Sequence, residues 1–564
     1  MNDYLKLFGI IITLFLFSLP LVKGDDNSDC DGCSGKCGTH LTLTNDGKEY
    51  LQRTYFLDSN EIPTVGQKST ISPLNIFKIH YDTIGVHAPP PADKNQNGIP
   101  DYVDSVCYYF DYVYQKYTNE FGFRSPYPDR GARGSDHYDI YLYDLGNSDD
   151  DTVSKYNAGG LYGLTTSATY DAISADPFLV TYSFIMIDND FAATDSIRNK
   201  GSKPSPAFKF PGIPSLKVTI AHEFFHAIQF MYGQSQPASS TVMEMNAVAM
   251  ERVFFPEVLD YLQYVRRLFR NPSSLPFGID DPYSGYGHSI FNQYLIENFG
   301  IEIMRLIWEK VALGHEVYSA IDLALKDLGS SLPAAWCEFL DWAYYTGERT
   351  VEGTYFSNAA ELPLIEPFSI IYYESPSKST SGYMAPYEFR MVRFYFQANG
   401  NLTDNNLDIL LGNLDLKSAS SQFNITKSYY IRTSDEETPG STKIPDLNYW
   451  VYYEYDSTFF CHHSHSNPGY EIAHAYPNPF RVGTDEVMLF PAPLKTEIYQ
   501  KILLVIYDSE MQQIYSKSLP VTVNNHNKIV RWDDMPKDIS SGIYIFGIHN
   551  GDEVVLGKFA IINN

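Results

Sequence analysis

The chain has 564 residues, 44% of them apolar, enough for roughly three or four domains with sizeable cores. Its 68 Asp and Glu outnumber 41 Lys and Arg, for a formal net charge of −27. That balance excludes nucleic acid and anionic lipid as partners and fits a secreted protein able to bind cations.

Lys6 precedes the apolar run Leu7 to Val22, which Lys23-Gly24 and the polar Asp25-Asp26-Asn27-Ser28 close. This is the pattern of a secretory signal peptide, residues 1–24, cut near Gly24. Ser18 and Pro20 interrupt the run, so no membrane span remains after signal removal. Residues 25–72 are polar and irregular, a leader or pro-region. Cys30, Cys33 and Cys37 lie there in a Gly-rich knot; Cys107, Cys337 and Cys461 complete six, an even count suited to disulfides outside the cell. Three thiols cannot all pair among themselves, so one is free to reach a distant cysteine. A structural metal in the knot would need a fourth ligand, with His40 nearest. A thiolate from this knot blocking a zinc ion in a latent form is a further alternative, which nothing in the spacing supports.

The segment 76–82 predicts a strand, and three consecutive prolines at 89–91 predict a loop. Asp93, Asn95, Asn97, Asp101 and Asp104 then follow the oxygen-ligand spacing of a calcium loop, with Gly98 at the turn. Asp104 stands where Glu is usual, and the prolines leave no entering helix. A helix leaving the loop is predicted by Val103, Val106, Phe110, Val113 and Tyr117. Alternation predicts further strands at 138–144, 161–166 and 181–188.

Residues 218–230 contain His222-Glu223-Phe224-Phe225-His226, the pattern His-Glu-x-x-His. Ser215 is expected to cap this helix and Gly233 to end it. Residues four apart share a face, so His222 and His226 point together and suit two corners of a tetrahedral zinc site. Glu223 is placed to act as general base on a metal-activated water. A polar turn leads to a second helix over 241–251. An antiparallel return would bring Glu244 back as third ligand. Glu251 lies two turns on, roughly 10 Å of helix rise, too far to share the ion; it is expected either behind the ligands or on the surface beside Arg252. Further helices are predicted near 257–270, 288–299, 301–313, 315–327 and 333–347. Tyr286 and His288, on a loop entering one of them, are candidates to stabilise an oxyanion.

From about 350 the pattern changes to short strands separated by polar turns. A β-rich module is expected over 350–470, and an immunoglobulin-like sandwich over 471–564. Within the first, Cys461-His462-His463-Ser464-His465 reads as a solvated loop or a second metal site.

Several separated motifs occur in order: Cys37-Gly38-Thr39, His80-Tyr81-Asp82, Asn97 to Val103, Ile187 to Phe191 and Ala221 to Gln229. Over about residues 36–350 the chain resembles a family of secreted bacterial zinc metalloproteases, gluzincin-like, first catalogued from a myxobacterial sequence. Where such sequences read Glu-Gly-x-Ala, this chain has Glu244-Met245-Asn246-Ala247. The resemblance implies a zinc peptidase with Glu as third ligand acting on protein or peptide substrates. The tail resembles the C-terminal sorting module of type IX secretion, which implies export to the surface or medium through that machinery. The expected architecture is multidomain α+β: a zincin-like peptidase domain over 73–349, a mixed sheet followed by helices, then all-β sandwich modules. The rival reading is a calcium-dependent surface binding or adhesion protein with a degenerate peptidase core. An intact Glu223 between two ligands separates the two, because a binding protein has no use for a base there.

Overall fold

The computed structural model describes residues 36–39, 66–127, 131, 134–146, 160–168, 182–197, 205–233, 239–351, 353–371, 377–398, 401–416, 421–429, 441–443, 449–455, 460–467 and most of 475–563. The expected signal peptide, Cys30, Cys33 and His40 lie outside them.

The first layer is a five-stranded mixed sheet: β1 (Lys68–Ile71), β2 (Phe77–Tyr81), β3 (Tyr138–Tyr143), β4 (Gly163–Ala168) and β5 (Tyr182–Asp188). Its order is β1-β2-β3-β5-β4, with β2, β3 and β5 parallel and β4 an antiparallel edge. Alternate side chains on a strand face opposite ways. Ile140, Leu142, Ile185 and Ile187 accordingly join the core shared with the helices, while Tyr141, Tyr143, Phe184 and Met186 form a separate cluster. Both faces are covered, which is why β3 is buried at every position. A two-stranded ribbon, β6 (Ser196–Ile197) with β7 (Ser205–Pro206), follows.

Eight helices are described: α1 (Asp101–Tyr114), α2 (Ile213–Phe230), α3 (Ser240–Phe254), α4 (Leu262–Arg270), α5 (Pro282–Phe299), α6 (Glu302–Ala312), α7 (Val317–Asp327) and α8 (Leu332–Tyr344). The buried stripe of α1 holds Val103, Val106, Phe110 and Val113 at the expected spacing. Phe224 of α2 meets Phe77, Phe110 and Tyr138, which docks the His-Glu-x-x-His helix on the sheet.

Several helix boundaries differ from expectation: α4 starts at Leu262 rather than near 257, and two others bear on the site. Helix α2 starts at Ile213 after Gly212, whose φ of 79° suits glycine, with Pro214 in its first turn. Ser215 is inside it, its hydroxyl donating to Phe210 O, so it is no cap. Residues 284–288 are helical rather than a loop. Asp281 caps α5 by accepting from Tyr283 N, and Pro282 follows at its first turn. The glycines that read as loop punctuation serve close packing. A Cβ on Gly285 would lie 2.3 Å from Thr241 O and 2.9 Å from Glu244 Cβ. Gly285 therefore lets α5 press directly on the turn of α3 that carries Glu244.

The stretch 25–72, expected to be irregular, contains strand β1, and its residues 36–39 are buried.

Beyond residue 368 the described elements are strands. The first group is β8 (Ser369–Ile371), β9 (Ser377–Met384), β10 (Phe389–Ala398), β11 (Asn401–Asn413), β12 (Ser421–Tyr429), β13 (Ser441–Lys443), β14 (Tyr449–Tyr455) and β15 (Phe460–Asn467). They form two four-stranded sheets, β15-β11-β10-β8 and β13-β14-β12-β9. The helical core does not stop at 349. Phe389, Met391 and Leu410 belong to it, and a Cys337–Cys461 disulfide ties α8 to β15. His463 and His465 of β15 each lie 3.0 Å from Asp341 of α8, so this cluster sits on a strand against a helix.

The last group is β16 (Phe480–Arg481), β17 (Met488–Pro491), β18 (Lys501–Tyr507), β19 (Gln513–Asn524), β20 (Asn527–Trp532), β21 (Gly542–Asn550) and β22 (Glu553–Ile562). The long β19 pairs with β18 through one half and with β20 through the other, joining all seven in one sheet. Phe490, Trp532, Phe546 and Phe559 fill a core made entirely of residues from 475 to 561. The chain is thus α+β with a β-rich C-terminal region. No helix among the described residues is long and apolar enough to cross a membrane.

Candidate metal centre

Helices α2, α3 and α5 and the edge strand β4 meet at one buried point. The i,i+4 spacing on α2 sets His222 and His226 side by side, their Nε2 atoms 3.1 Å apart. The turn to α3 reverses the chain and brings Glu244 Oε2 to 3.0 Å from His222 Nε2 and 3.5 Å from His226 Nε2. A tetrahedral zinc ion with bonds of about 2.0–2.1 Å separates its ligand atoms by roughly 3.3 Å. The three atoms present match that spacing, and the donor set of two imidazoles and one carboxylate matches zinc chemistry.

The far nitrogens are held as well. His222 Nδ1 lies 2.8 Å from Glu251 Oε1, and His226 Nδ1 lies 2.7 Å from Gln229 Oε1. Gln229 in turn donates to Met243 O, which pins the side chain. Such partners orient an imidazole and raise its basicity as a ligand. Glu251 is buried, so of its two expected positions it takes the one behind His222.

Burial opposes charge on His222, but its hydrogen bonds to Glu244 and Glu251 outweigh that and lift it to about 10. Burial likewise opposes charge on Glu244, and the imidazoles of His226 and His222 overcome it, pushing the carboxyl well down. A metal ion held by both groups would compete with the proton that this pairing favours on His222.

Glu223, which follows His222 on α2, is buried, and its Oε2 accepts from Thr165 Oγ1 at 2.9 Å and from Thr39 Oγ1 at 3.0 Å. Gly163 makes this possible: a Cβ there would come within 2.9 Å of Glu223 Cγ and Thr219 Cγ2. Tyr286 is at the centre too, its hydroxyl accepting from Cys37 N at 3.2 Å. His288, two residues on, is not. It faces Phe277 and Trp336, its Nδ1 donating to Ser284 O, and burial lowers it to about 4. Residues two apart on a helix point to different sides, so only one of the two candidates could reach the centre.

Residues far away in sequence complete the site. Cys37 is a free, buried thiol, and its sulfur forms with His222, His226 and Glu244 a group whose ligand atoms all lie within 4.8 Å of one another. This corrects the expectation of a disulfide-bonded knot for Cys37, because the chain enters the core here. Burial, with the charges of Glu223 and Glu244, pushes the metal-free thiol well up. Lys36 is buried between Glu251 at 2.6 Å and Asp260 at 2.8 Å. Burial opposes its charge, but Asp260 and Glu251 hold it above the ordinary lysine value. No spacing rule points to Lys36, Cys37 or Thr39; the sole sequence signal was the motif Cys37-Gly38-Thr39 itself.

No family model and no curated protein matches the chain. Solved structures were matched, among them the following two. The titin Ig tandem domains A164-A165 are 8% identical with a TM-score of 0.12, covering 34% of this chain and 91% of that one. The neural ectodermal development factor IMP-L2 is 8% identical with a TM-score of 0.10, covering 35% and 90%. Likeness at that level carries no argument about fold or function, so the reading of the centre rests on its own geometry.

The predicted calcium residues do come together, with Asp93, Asn95 and Asn97 in the loop before α1 and Asp101 and Asp104 in the first turn of that helix. Asp93 accepts from Asn97 N and Gly98 N, Asp101 from Lys94 N, and Asp104 from the amides of Asn95 and Asn97. Gln96 has a φ of 57° and Gly98 of 82°, so the loop is tightly coiled. A calcium ion would replace the amide contacts of Asp104 with its own. Added calcium should then raise the melting temperature by binding the folded state alone, and Asp93→Ala should remove the rise. A melting curve of chelator-treated protein that ignores calcium would refute this site.

Proposed function

We propose that the chain is a secreted zinc endopeptidase whose core has a zincin-like fold. The observation that carries this reading is the convergence of His222 Nε2, His226 Nε2 and Glu244 Oε2 at 3.0–3.5 Å, with Glu223 buried next to His222 on the same helix. Zinc bound there supplies Lewis acidity, which polarises a peptide carbonyl and eases deprotonation of a water.

The chain's own residues do the rest. Glu223 takes the proton of the attacking water and returns it to the leaving amine. Thr165 holds that carboxylate in place through its hydroxyl. Tyr286, whose hydroxyl lies against the peptide of Cys37, is placed to donate to an oxyanion on a peptide running the same course. The edge strand β4 offers backbone groups to an extended substrate. Glu251 and Gln229 fix the two imidazoles.

Metal analysis and peptide turnover test the reading together. The full chain should bind one zinc, lost on His222→Ala, and a chelator should stop hydrolysis of a peptide library by the Cys37→Ser variant, which keeps both histidines, Glu223 and Glu244. A chain that binds no zinc is not this enzyme.

The tail is read as the export module, with a core sharing no residue with that around the metal centre. A chain ending at 474 should keep its zinc and its turnover but stay in the periplasm. Normal export of that shorter chain would refute the sorting role.

A further inference from the structure

Metal centre and base are both buried, and part of what covers them belongs to the chain itself. We propose that Cys37 is the fourth zinc ligand and that residues 36–39 hold the intact chain in a latent form. The inference rests on the zinc reading above.

The first support is the donor group. Cys37 with His222, His226 and Glu244 gives one sulfur, two nitrogens and one oxygen within 4.8 Å of one another. Zinc–sulfur bonds of about 2.3 Å close such a group into a tetrahedral site with no open position. Thiolate and carboxylate together balance the charge of the ion, and a thiol that coordinates zinc releases its proton to solvent.

The second support is independent of the sulfur. The flanking residues are clamped on groups that a substrate would need. Tyr162 N donates to Lys36 O at 2.8 Å, and Gly38 N donates to Gly163 O at 2.9 Å, so the segment lies along the edge of β4. Tyr286 O accepts from the peptide of Cys37 at 3.2 Å. Thr39 Oγ1 donates to Glu223 Oε2 at 3.0 Å and accepts from Thr165 N at 2.8 Å. Lys36 is locked to Glu251, the partner of His222, and to Asp260. Gly38 admits nothing larger without displacement, since a Cβ would lie 3.1 Å from Leu164 Cβ.

In this arrangement the water's coordination position is filled, the base carries a hydroxyl, and the substrate's strand edge is taken. A segment 183 or more residues from the motif (222 − 39) is held by three charged or polar anchors at once. Each anchor falls on catalytic or ligand-supporting equipment, which a merely structural leader would have no reason to select.

Cobalt substitution tests this without relying on activity. The full-length cobalt protein should show a thiolate-to-cobalt charge-transfer band in the near ultraviolet. The band should vanish in Cys37→Ser and persist in Cys107→Ser, which removes the other free buried thiol. A capped form favoured about 100 to 1 lowers turnover about a hundredfold, so Cys37→Ser zinc protein should gain about that much. Should Cys37→Ser fail to fold, zinc-edge X-ray absorption on the unaltered protein still counts sulfur ligands, and one is expected. Metal bound by nitrogen and oxygen alone overturns the cap and leaves the peptidase reading standing. No metal bound, with His222→Ala indistinguishable from the parent, overturns both. A Cys37→Ser protein that keeps its metal but turns peptide over no faster overturns the latency.

Discussion

Glu223→Gln, made in the Cys37→Ser background, should keep full zinc affinity and lose peptide turnover by about 10²–10⁴-fold, the usual weight of a positioned general base. The change is isosteric. Gln still offers an oxygen to Thr165, so packing against Gly163 is undisturbed. It cannot accept the water's proton, and it makes no bond to the metal. Affinity and turnover should therefore separate. A variant that turns peptide over at the parent rate would show that the base is another group, and the reading of the motif would fall.

Glu244→Ala should behave oppositely and lose zinc. Apparent binding energies of structural zinc sites, about 10–16 kcal/mol, shared over four ligands come to roughly 3–4 kcal/mol each. At about 1.4 kcal/mol per tenfold, removing one ligand costs on the order of 10²–10³ in affinity, with turnover falling alongside. Glu251→Gln is the comparison. It keeps an oxygen for His222 Nδ1 but loses the charge, and a partner one step removed typically costs about 10–100-fold. Lys36 retains Asp260 in that variant, so the buried ammonium is not stranded. Zinc competition titrations rank the three proteins. If Glu251→Gln lost more affinity than Glu244→Ala, the positions of the two carboxylates around the ion would have to be exchanged.

Local periodicity made much of this chain legible. The distance from His222 to His226 is one helical turn, and any helix there must set the two rings together. The return of Glu244 needed only a short turn and an antiparallel helix, both visible as composition. Strands β2, β3 and β5 were plain because alternation and β-branched residues mark buried strands, and the change to short strands after 350 was plain for the same reason. Boundaries were weaker. The glycines at 285 and 287 looked like turn residues, although they permit contact between α5 and its neighbours. A sequence shows a glycine but not the atom that its missing Cβ would strike.

The helix spacing, the paired imidazoles, the adjacent carboxylate of Glu223 and the α+β character were determined by the sequence alone, since each depends on residues within a turn or two of one another. Only the tertiary structure decided that Lys36, Cys37 and Thr39 sit on this centre, that Glu251 turns inward to His222 rather than outward beside Arg252, and that Tyr286 but not His288 reaches it. Those contacts join segments up to 249 residues apart. They are chosen by which surfaces the sheet and helices bury together, and no local spacing encodes that choice.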